Sequence, residues 1–333
     1  MIMPLAHGGA DALGSPRWDF SSNANACGPC PMSLEAVNQA DPGRYPDPLY
    51  TELRDVLAAH HGVEPWRIII AMSASEFIQR ITAWKWREGA KKFWIPRYAY
   101  GDYSRAASAW GLRQVDNPEQ AELAWLCDPI SPLGQSESNE VVLALGAQTS
   151  CTVVLDCAYQ PLRLQGRGAL DSYPDSKMWQ LWSPNKALGL TGIRAAYAIA
   201  PTDGQSDAIE LEQLAPSWPL GVHGQAMLFS WTQTPTQAWI TDSCQILSQW
   251  IANLRSLLER FDWQYQPSEA HFFCARPPEN LDSCELRSYD LKLRDAASFG
   301  LPGWWRLSAQ RPEALQALEN ALFQISQLRM SAK

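Results

Sequence analysis

The sequence predicts an α/β protein: a mostly parallel sheet covered by helices on both faces, with a smaller α+β unit after it. Two observations carry this expectation. Between residues 67 and 200, strand-sized apolar runs alternate with amphipathic helical stretches, the order that returns each strand parallel to the last across a crossover. After about residue 205 the alternation gives way to helical runs broken by two short strands. With 46% hydrophobic and 19% charged content, 333 residues suffice to bury the cores of one large and one small unit.

Residues 1–48 are rich in Gly, Pro, Asn and Ser and predict an extended arm with turns and no core. A large unit is expected over 49–205. It opens with a helix over 49–61, whose Leu49, Leu53, Val56 and Leu57 share one face and which Gly62 stops. Strands are expected at 67–71, 92–96, 123–127, 152–156, 180–182 and 195–200, with helices over 76–87 and 103–110 between the earlier ones. The small unit, 206–333, should hold a helix over 243–260 and strands at 271–275 and 305–308. Its last helix has Pro312 in the first turn and Leu315, Leu318, Leu322, Ile325 and Leu328 on one stripe. The sixteen tryptophans point to core and interface packing.

A net charge of −8 argues against a nucleic-acid surface and leaves no polybasic segment for acidic lipids. No apolar run approaches the roughly 18 residues of a membrane span. Residues 1–9 lack a basic stretch followed by a long apolar one, so no signal peptide is expected and a cytoplasmic location follows. Eight cysteines are too few for a disulfide scaffold, and Cys127, Cys151, Cys157 and Cys274 sit in apolar surroundings as reduced thiols would. Cys27 and Cys30 copy the spacing of a thioredoxin-type redox pair, but they follow the Asn- and Ser-rich segment 21–25 instead of a strand, so redox chemistry is not expected of them. With five histidines and no second ligand pair at fixed spacing, no metal site is expected.

The chemistry concentrates around Lys186. It closes the run Ser183-Pro184-Asn185-Lys186, with Arg194 eight residues after it and the Asp-x-x-Tyr pair Asp156 and Tyr159 upstream, Asp156 by thirty residues. Together these residues could hold pyridoxal phosphate. A lysine bonds the aldehyde, an arginine grips the phosphate, a carboxylate keeps the pyridine nitrogen protonated, and a tyrosine hydrogen-bonds the ring oxygen. Asp156 ends an expected strand, where open α/β sheets place ligands. Ser73, Ala74 and Ser75 follow another strand and open a helix, so their N–H groups and hydroxyls are candidates for the phosphate, with Ser183 adding a hydroxyl. An ordinary helix cap is the competing account of Ser73.

This ordered set resembles the fold-type I pyridoxal-phosphate enzymes, the aspartate aminotransferase superfamily, over about residues 7–325. The resemblance implies a seven-stranded, mostly parallel sheet, a small C-terminal domain and an N-terminal arm. It assigns Lys186 to the Schiff base, Arg194 and Ser183 to the phosphate, Asp156 to the ring nitrogen and Tyr159 to the ring oxygen. Tyr100, opening Tyr-Gly-Asp-Tyr, matches the aromatic that stacks on the cofactor, and Arg306 matches the arginine that binds a substrate α-carboxylate.

Finer motifs are similar to the branch holding histidinol-phosphate aminotransferases and threonine-phosphate decarboxylases, the latter of the cobalamin pathway. They are His7-Gly8-Gly9, the segment Asp-Phe-Ser-Ser-Asn-Ala-Asn at 19–25, Arg-Tyr-Pro-Asp at 44–47, and Arg294-Asp295 followed by Gly-Leu-Pro-Gly at 300–303. The resemblance implies a homodimer in which Tyr45 reaches the neighbouring cofactor phosphate, and a phosphorylated amino-acid substrate whose second anion meets Arg294, helped by His7, Gly8 and Asn23. The chain departs from the branch at two places. Ser131 stands for the asparagine that shares the ring oxygen, and Ser73 stands for a glycine of the phosphate loop. A serine offers one donor where asparagine offers two, so a weaker ring contact is expected. The bond broken at Cα is the one held perpendicular to the ring. The His-Gly-Gly opening favours decarboxylation of O-phospho-L-threonine, with transamination of a substrate such as histidinol phosphate, or a non-catalytic binding subunit, as alternatives.

Overall fold

The computed structural model describes residues 7–148, 150–169 and 177–331. Its strands are β1 (Trp18–Asp19), β2 (Ile68–Ala71), β3 (Lys92–Trp94), β4 (Arg113–Gln114), β5 (Leu123–Cys127), β6 (Thr152–Asp156), β7 (Trp179–Trp182), β8 (Ala196–Ile199), β9 (Gln264–Tyr265), β10 (Phe272–Arg276), β11 (Leu291–Lys292), β12 (Arg294–Asp295) and β13 (Trp305–Ser308). The helices are α1 (Pro31–Gln39), α2 (Thr51–His61), α3 (Ala74–Arg87), α4 (Gly101–Ala109), α5 (Asn139–Gly146), α6 (Gln205–Gln213), α7 (Val222–Trp231), α8 (Thr234–Arg260), α9 (Ser283–Arg287) and α10 (Pro312–Ser331).

Seven strands form one sheet in the order β2-β8-β7-β6-β5-β3-β4. Within it β8 alone runs against its neighbours, pairing antiparallel with both β2 and β7, while the strands from β7 to β4 are parallel. Alternation along each strand separates two cores. Ile68, Ile70, Val153, Leu155, Tyr197 and Ile199 face one, together with Leu53 and Leu57 of α2 and Met227 of α7. Ile69, Ala71, Val154, Ala196 and Ala198 face the other, with Phe77 and Ile81 of α3, Tyr103 of α4 and Leu211 of α6. Strands buried on both faces must read as continuous apolar runs, which is why six of the seven were legible. The exception is β4, two exposed polar residues at the sheet edge.

A second, four-stranded antiparallel sheet has the order β12-β13-β10-β9, and β1 pairs in parallel with β11. Residues 7–48 are more than an arm. Pro31 opens the helix α1, Ser33 meets Ser230 of α7 at 2.8 Å, and Phe20 and Cys30 are fully buried, because the segment is wedged against both sheets. Gly62 does end α2, in the left-handed conformation that favours glycine. Leu49 precedes that helix and is exposed, and Leu328 turns out to solvent past the last buried position of α10, Ile325. Among the described residues no helix is long and apolar enough to cross a membrane.

One core histidine makes the fold sensitive to acid. His271 is fully buried just before β10 and its Nε2 lies 3.0 Å from the Asn23 carbonyl, which can only accept, so Nε2 carries the proton of a neutral ring. Burial holds its pKa down to about 4 from 6.5. The folded state then binds fewer protons than the unfolded one between those values. The stabilisation is complete above pH 6.5 and is lost as pH falls toward 4, by on the order of 3 kcal/mol in all. Urea unfolding at pH 7.5, 6 and 5 should show a decline that His271→Gln shares less; parallel declines in the two proteins would refute the assignment.

Candidate active site

Asp156 ends β6 in the middle of the large sheet, where it is 4% exposed. Its Oδ2 accepts from the Tyr103 hydroxyl at 2.6 Å and its Oδ1 from the Ala158 N–H at 2.9 Å. Burial pushes its carboxyl above the ordinary range; the Lys186 ammonium, and then these two donors, oppose the rise. Three residues on, Tyr159 packs edge-on against Phe272 of β10, with ring centroids 4.8 Å apart, and its hydroxyl has no partner among the described residues.

Lys186 lies in the loop after β7. The loop is braced within itself by Leu188 N–H to Pro184 O and Leu190 N–H to Asn185 O, at 2.9 and 2.8 Å. The N-terminal segment clamps it from outside, through Asn25 N–H to Lys186 O at 2.9 Å, the Asn25 amide to Ala187 O at 3.0 Å and Cys30 N–H to Leu188 O at 2.8 Å. Gly189 must be glycine here, because a Cβ would lie 2.9 Å from the Gly28 Cα and its φ is +65°. The lysine Nζ donates to Ser183 Oγ at 3.3 Å and lies 5.4 Å from the Tyr159 ring centroid. Eight residues later Arg194 is exposed, with no ion pair among the described residues.

The two C-terminal arginines are direct cross-strand partners, Arg294 on β12 and Arg306 on β13, and both are 6% exposed. Arg306 donates from Nη1 to Ser131 Oγ at 3.0 Å and from Nη2 to Ser21 O at 2.6 Å, and its buried Nε has no partner among the described residues. Arg294 donates to Ser298 Oγ at 2.7 Å and to the Asp295 carbonyl. Burial, and then the charge of Arg306, hold Arg294 down to about 10. Phe299 lies against both guanidiniums, at 4.9 and 5.8 Å. Ser131, expected near a ring oxygen, accepts from Arg306 and keeps its own hydroxyl proton to donate. Gly8 presses on the same anchor: a Cβ there would sit 2.1 Å from Ser21 O.

Of the remaining expected residues, Ser73 caps α3 by accepting from Glu76 N–H at 3.1 Å, and Ala74 begins the helix. Ser75 Oγ reaches the Tyr100 hydroxyl at 3.3 Å, and the His7 ring lies 6.3 Å from the Tyr100 ring. Among the described residues, Asn23, 5% exposed, has no partner for either amide atom, and Asn185 Oδ1 is likewise buried and unpaired. Tyr45 stands outside this network, 79% exposed and stacked on Trp218 at 4.6 Å. Cys27 and Cys30 are free thiols; Cys30 immediately precedes α1, so the pair does open a helix, though no strand leads into it.

Two features escaped the sequence. Tyr103 was visible only as the last letter of Tyr-Gly-Asp-Tyr. The other is a buried ion network, in which Arg163 pairs with Asp128 and Glu269 and joins the loop after β5 to the segment before β10. Its members are 35 and 106 residues from Arg163, a separation that leaves no local signal.

A model of the family described as aminotransferase class I and II matches residues 112–322. The chain belongs to this family. A histidinol-phosphate aminotransferase of Ruegeria pomeroyi is 26% identical over 330 residues, covering 91% of this chain and 89% of its own. In fold, this aminotransferase-family chain is similar to a histidinol-phosphate aminotransferase from Sinorhizobium meliloti in complex with pyridoxal 5′-phosphate, with TM-score 0.74 at 20% identity over 90% of this chain and 88% of that one. It is equally similar to an L-threonine-O-3-phosphate decarboxylase from Porphyromonas gingivalis, with TM-score 0.75 at 20% identity over 92% and 99%. The chain is thus a pyridoxal-phosphate enzyme. Its own residues fit that cofactor. Buried polar atoms left unpaired cost about 1–3 kcal/mol each, and Asn23, Asn185 and Arg306 carry them on the segments that meet beside Lys186.

Arg163→Met should leave the Asp128 carboxylate, 3% exposed, without its cation. Breaking a buried pair from one side costs about 3–5 kcal/mol. The double variant with Asp128→Asn should recover much of that loss. Urea midpoints for the two variants check this, and an Arg163→Met protein as stable as wild type would contradict it.

Proposed function

We propose that the chain decarboxylates O-phospho-L-threonine to 1-aminopropan-2-ol phosphate, a step serving cobalamin biosynthesis. The observation that carries this reading is the pair of buried arginines in register on β12 and β13. Two adjacent buried guanidiniums suit a substrate bearing two anions, and a phosphorylated amino acid has a carboxylate and a phosphate. Arg306 holds the carboxylate through its unpartnered Nε edge, while Arg294, the Asn23 amide and His7 face the phosphate. Residues 49–205 carry the cofactor and 206–333 supply the arginines.

Lys186, Asp156, Tyr159, Ser183 and Arg194 are assigned to the cofactor, with Ser73, Ala74, Ser75, Tyr100 and Ser131 around it. Bound there, pyridoxal phosphate supplies an electron sink for charge developing at Cα. Arg306 orients the carboxylate, Lys186 moves the proton at Cα, and the N-terminal segment excludes water from both. A second reading, transamination of histidinol phosphate, is favoured by the curated relatives of that name at 23–28% identity. Carbon dioxide release from O-phospho-L-threonine against transfer of the amino group of histidinol phosphate to a 2-oxo-acid acceptor separates the two. We further propose a homodimer in which the exposed Tyr45 completes the partner's phosphate site.

Lys186→Ala should abolish the near-visible absorbance of the purified protein and lower turnover by orders of magnitude while the far-ultraviolet circular dichroism persists. Normal absorbance in that variant would remove the assignment. Arg294→Ala should penalise phosphothreonine over threonine by about 2–5 kcal/mol in kcat/KM, whereas Arg306→Ala should penalise both amino acids. Equal effects of Arg294→Ala on the two would remove the phosphate assignment.

A further inference from the structure

Tyr103 is fully buried, yet its one polar atom points at a carboxylate. The ring cannot swing away. It stacks on Trp125 of β5 at 4.6 Å and 8° interplanar angle, and the Tyr100 ring meets it edge-on at 5.6 Å. The hydroxyl is thereby held 2.6 Å from Asp156 Oδ2, while the Ala158 N–H takes Oδ1. One donor on each oxygen fixes the plane of the carboxylate as well as its position, which a single bond would not do.

We propose that Tyr103 is a positioning residue for Asp156, setting the direction and strength with which that carboxylate engages the cofactor's ring nitrogen. This rests on Asp156 being the ring-nitrogen partner. A buried carboxylate with no donors would hold its own proton and engage the ring nitrogen as a neutral acid. A donated hydrogen bond favours the ionised form, which keeps the shared proton on the nitrogen. Burial, and then the Asp156 charge, push the Tyr103 hydroxyl well above its ordinary range, so it remains a donor. The Cys127 thiol is the other group the hydroxyl meets, and phenylalanine would keep the stack on Trp125 and the packing of α4 on the sheet.

The test loads wild type, Tyr103→Phe and Asp156→Asn with pyridoxal phosphate labelled with ¹⁵N in the ring, and compares the ring-nitrogen chemical shift and the cofactor dissociation constant. Wild type should show the protonated shift. Asp156→Asn should move it to the unprotonated position, and Tyr103→Phe should move it part of the way, weaken cofactor binding by about ten- to a hundredfold and lower kcat with little change in KM. If Asp156→Asn moves the signal and Tyr103→Phe leaves both signal and affinity at wild type, the proposal is overturned alone. If Asp156→Asn leaves the signal in place, the ring-nitrogen assignment falls and the proposal with it. Should Tyr103→Phe fail to fold, fluorinated tyrosine at position 103 provides a stronger donor of nearly the same shape. It should move the signal in the opposite sense, and no movement overturns the proposal.

Discussion

A buried guanidinium must find acceptors or leave the interior, and most of this site follows from how Arg306 meets that demand. No carboxylate pairs with it among the described residues, so it draws on neutral oxygens from two other parts of the chain, the Ser131 hydroxyl after β5 and the Ser21 carbonyl near the N-terminus. Each hydrogen bond from a charged group contributes about 1.5–3 kcal/mol. The pair therefore fastens the large sheet, the small sheet and the N-terminal segment at one point. Its Nε is left over, and an unsatisfied donor on a buried cation favours an anion from outside.

Two carboxylates at the ends of adjacent strands pose the opposite problem and are solved differently. Asp128, one residue past β5, is neutralised by Arg163 and also accepts from the Ala169 N–H. Among the described residues, Asp156, at the end of β6, receives only neutral donors directly, and the one cation acting on it is the lysine. The first arrangement is closed and structural. The second leaves charge to be completed by a ligand, which is the difference expected between a brace and a reactive site.

Much of the fold could be read from the chain because strands buried on both faces leave no polar position to blur the signal; Thr152–Asp156 and Leu123–Cys127 have the expected bounds. Elements stabilised by partners far away were not legible. Helix α1 is short and rests on α7, and the edge strand β4 is polar. In the site, residues with distinctive chemistry at short spacing were visible: Asp156, Tyr159, Ser183 and Lys186 lie on β6, β7 and their loops. Tyr103 and Arg163 were not, since a tyrosine and an arginine acquire meaning only from the carboxylate that folding brings beside them. The contact of Ser131 with Arg306 was not legible because the two lie 175 residues apart.

The segment that clamps the lysine loop also joins the small sheet: Phe20 N–H donates to Lys292 O, and Ser308 N–H donates to Phe20 O. On a ribosome the first thirty residues emerge long before either partner exists. Contacts this distant in sequence close slowly, and until they do the apolar face around Phe20 and the Lys186 loop stay open to water and to other chains. Strands β11 and β13 must therefore be made before the site acquires its outer wall, so the wall closes well after the lysine and its strand have emerged.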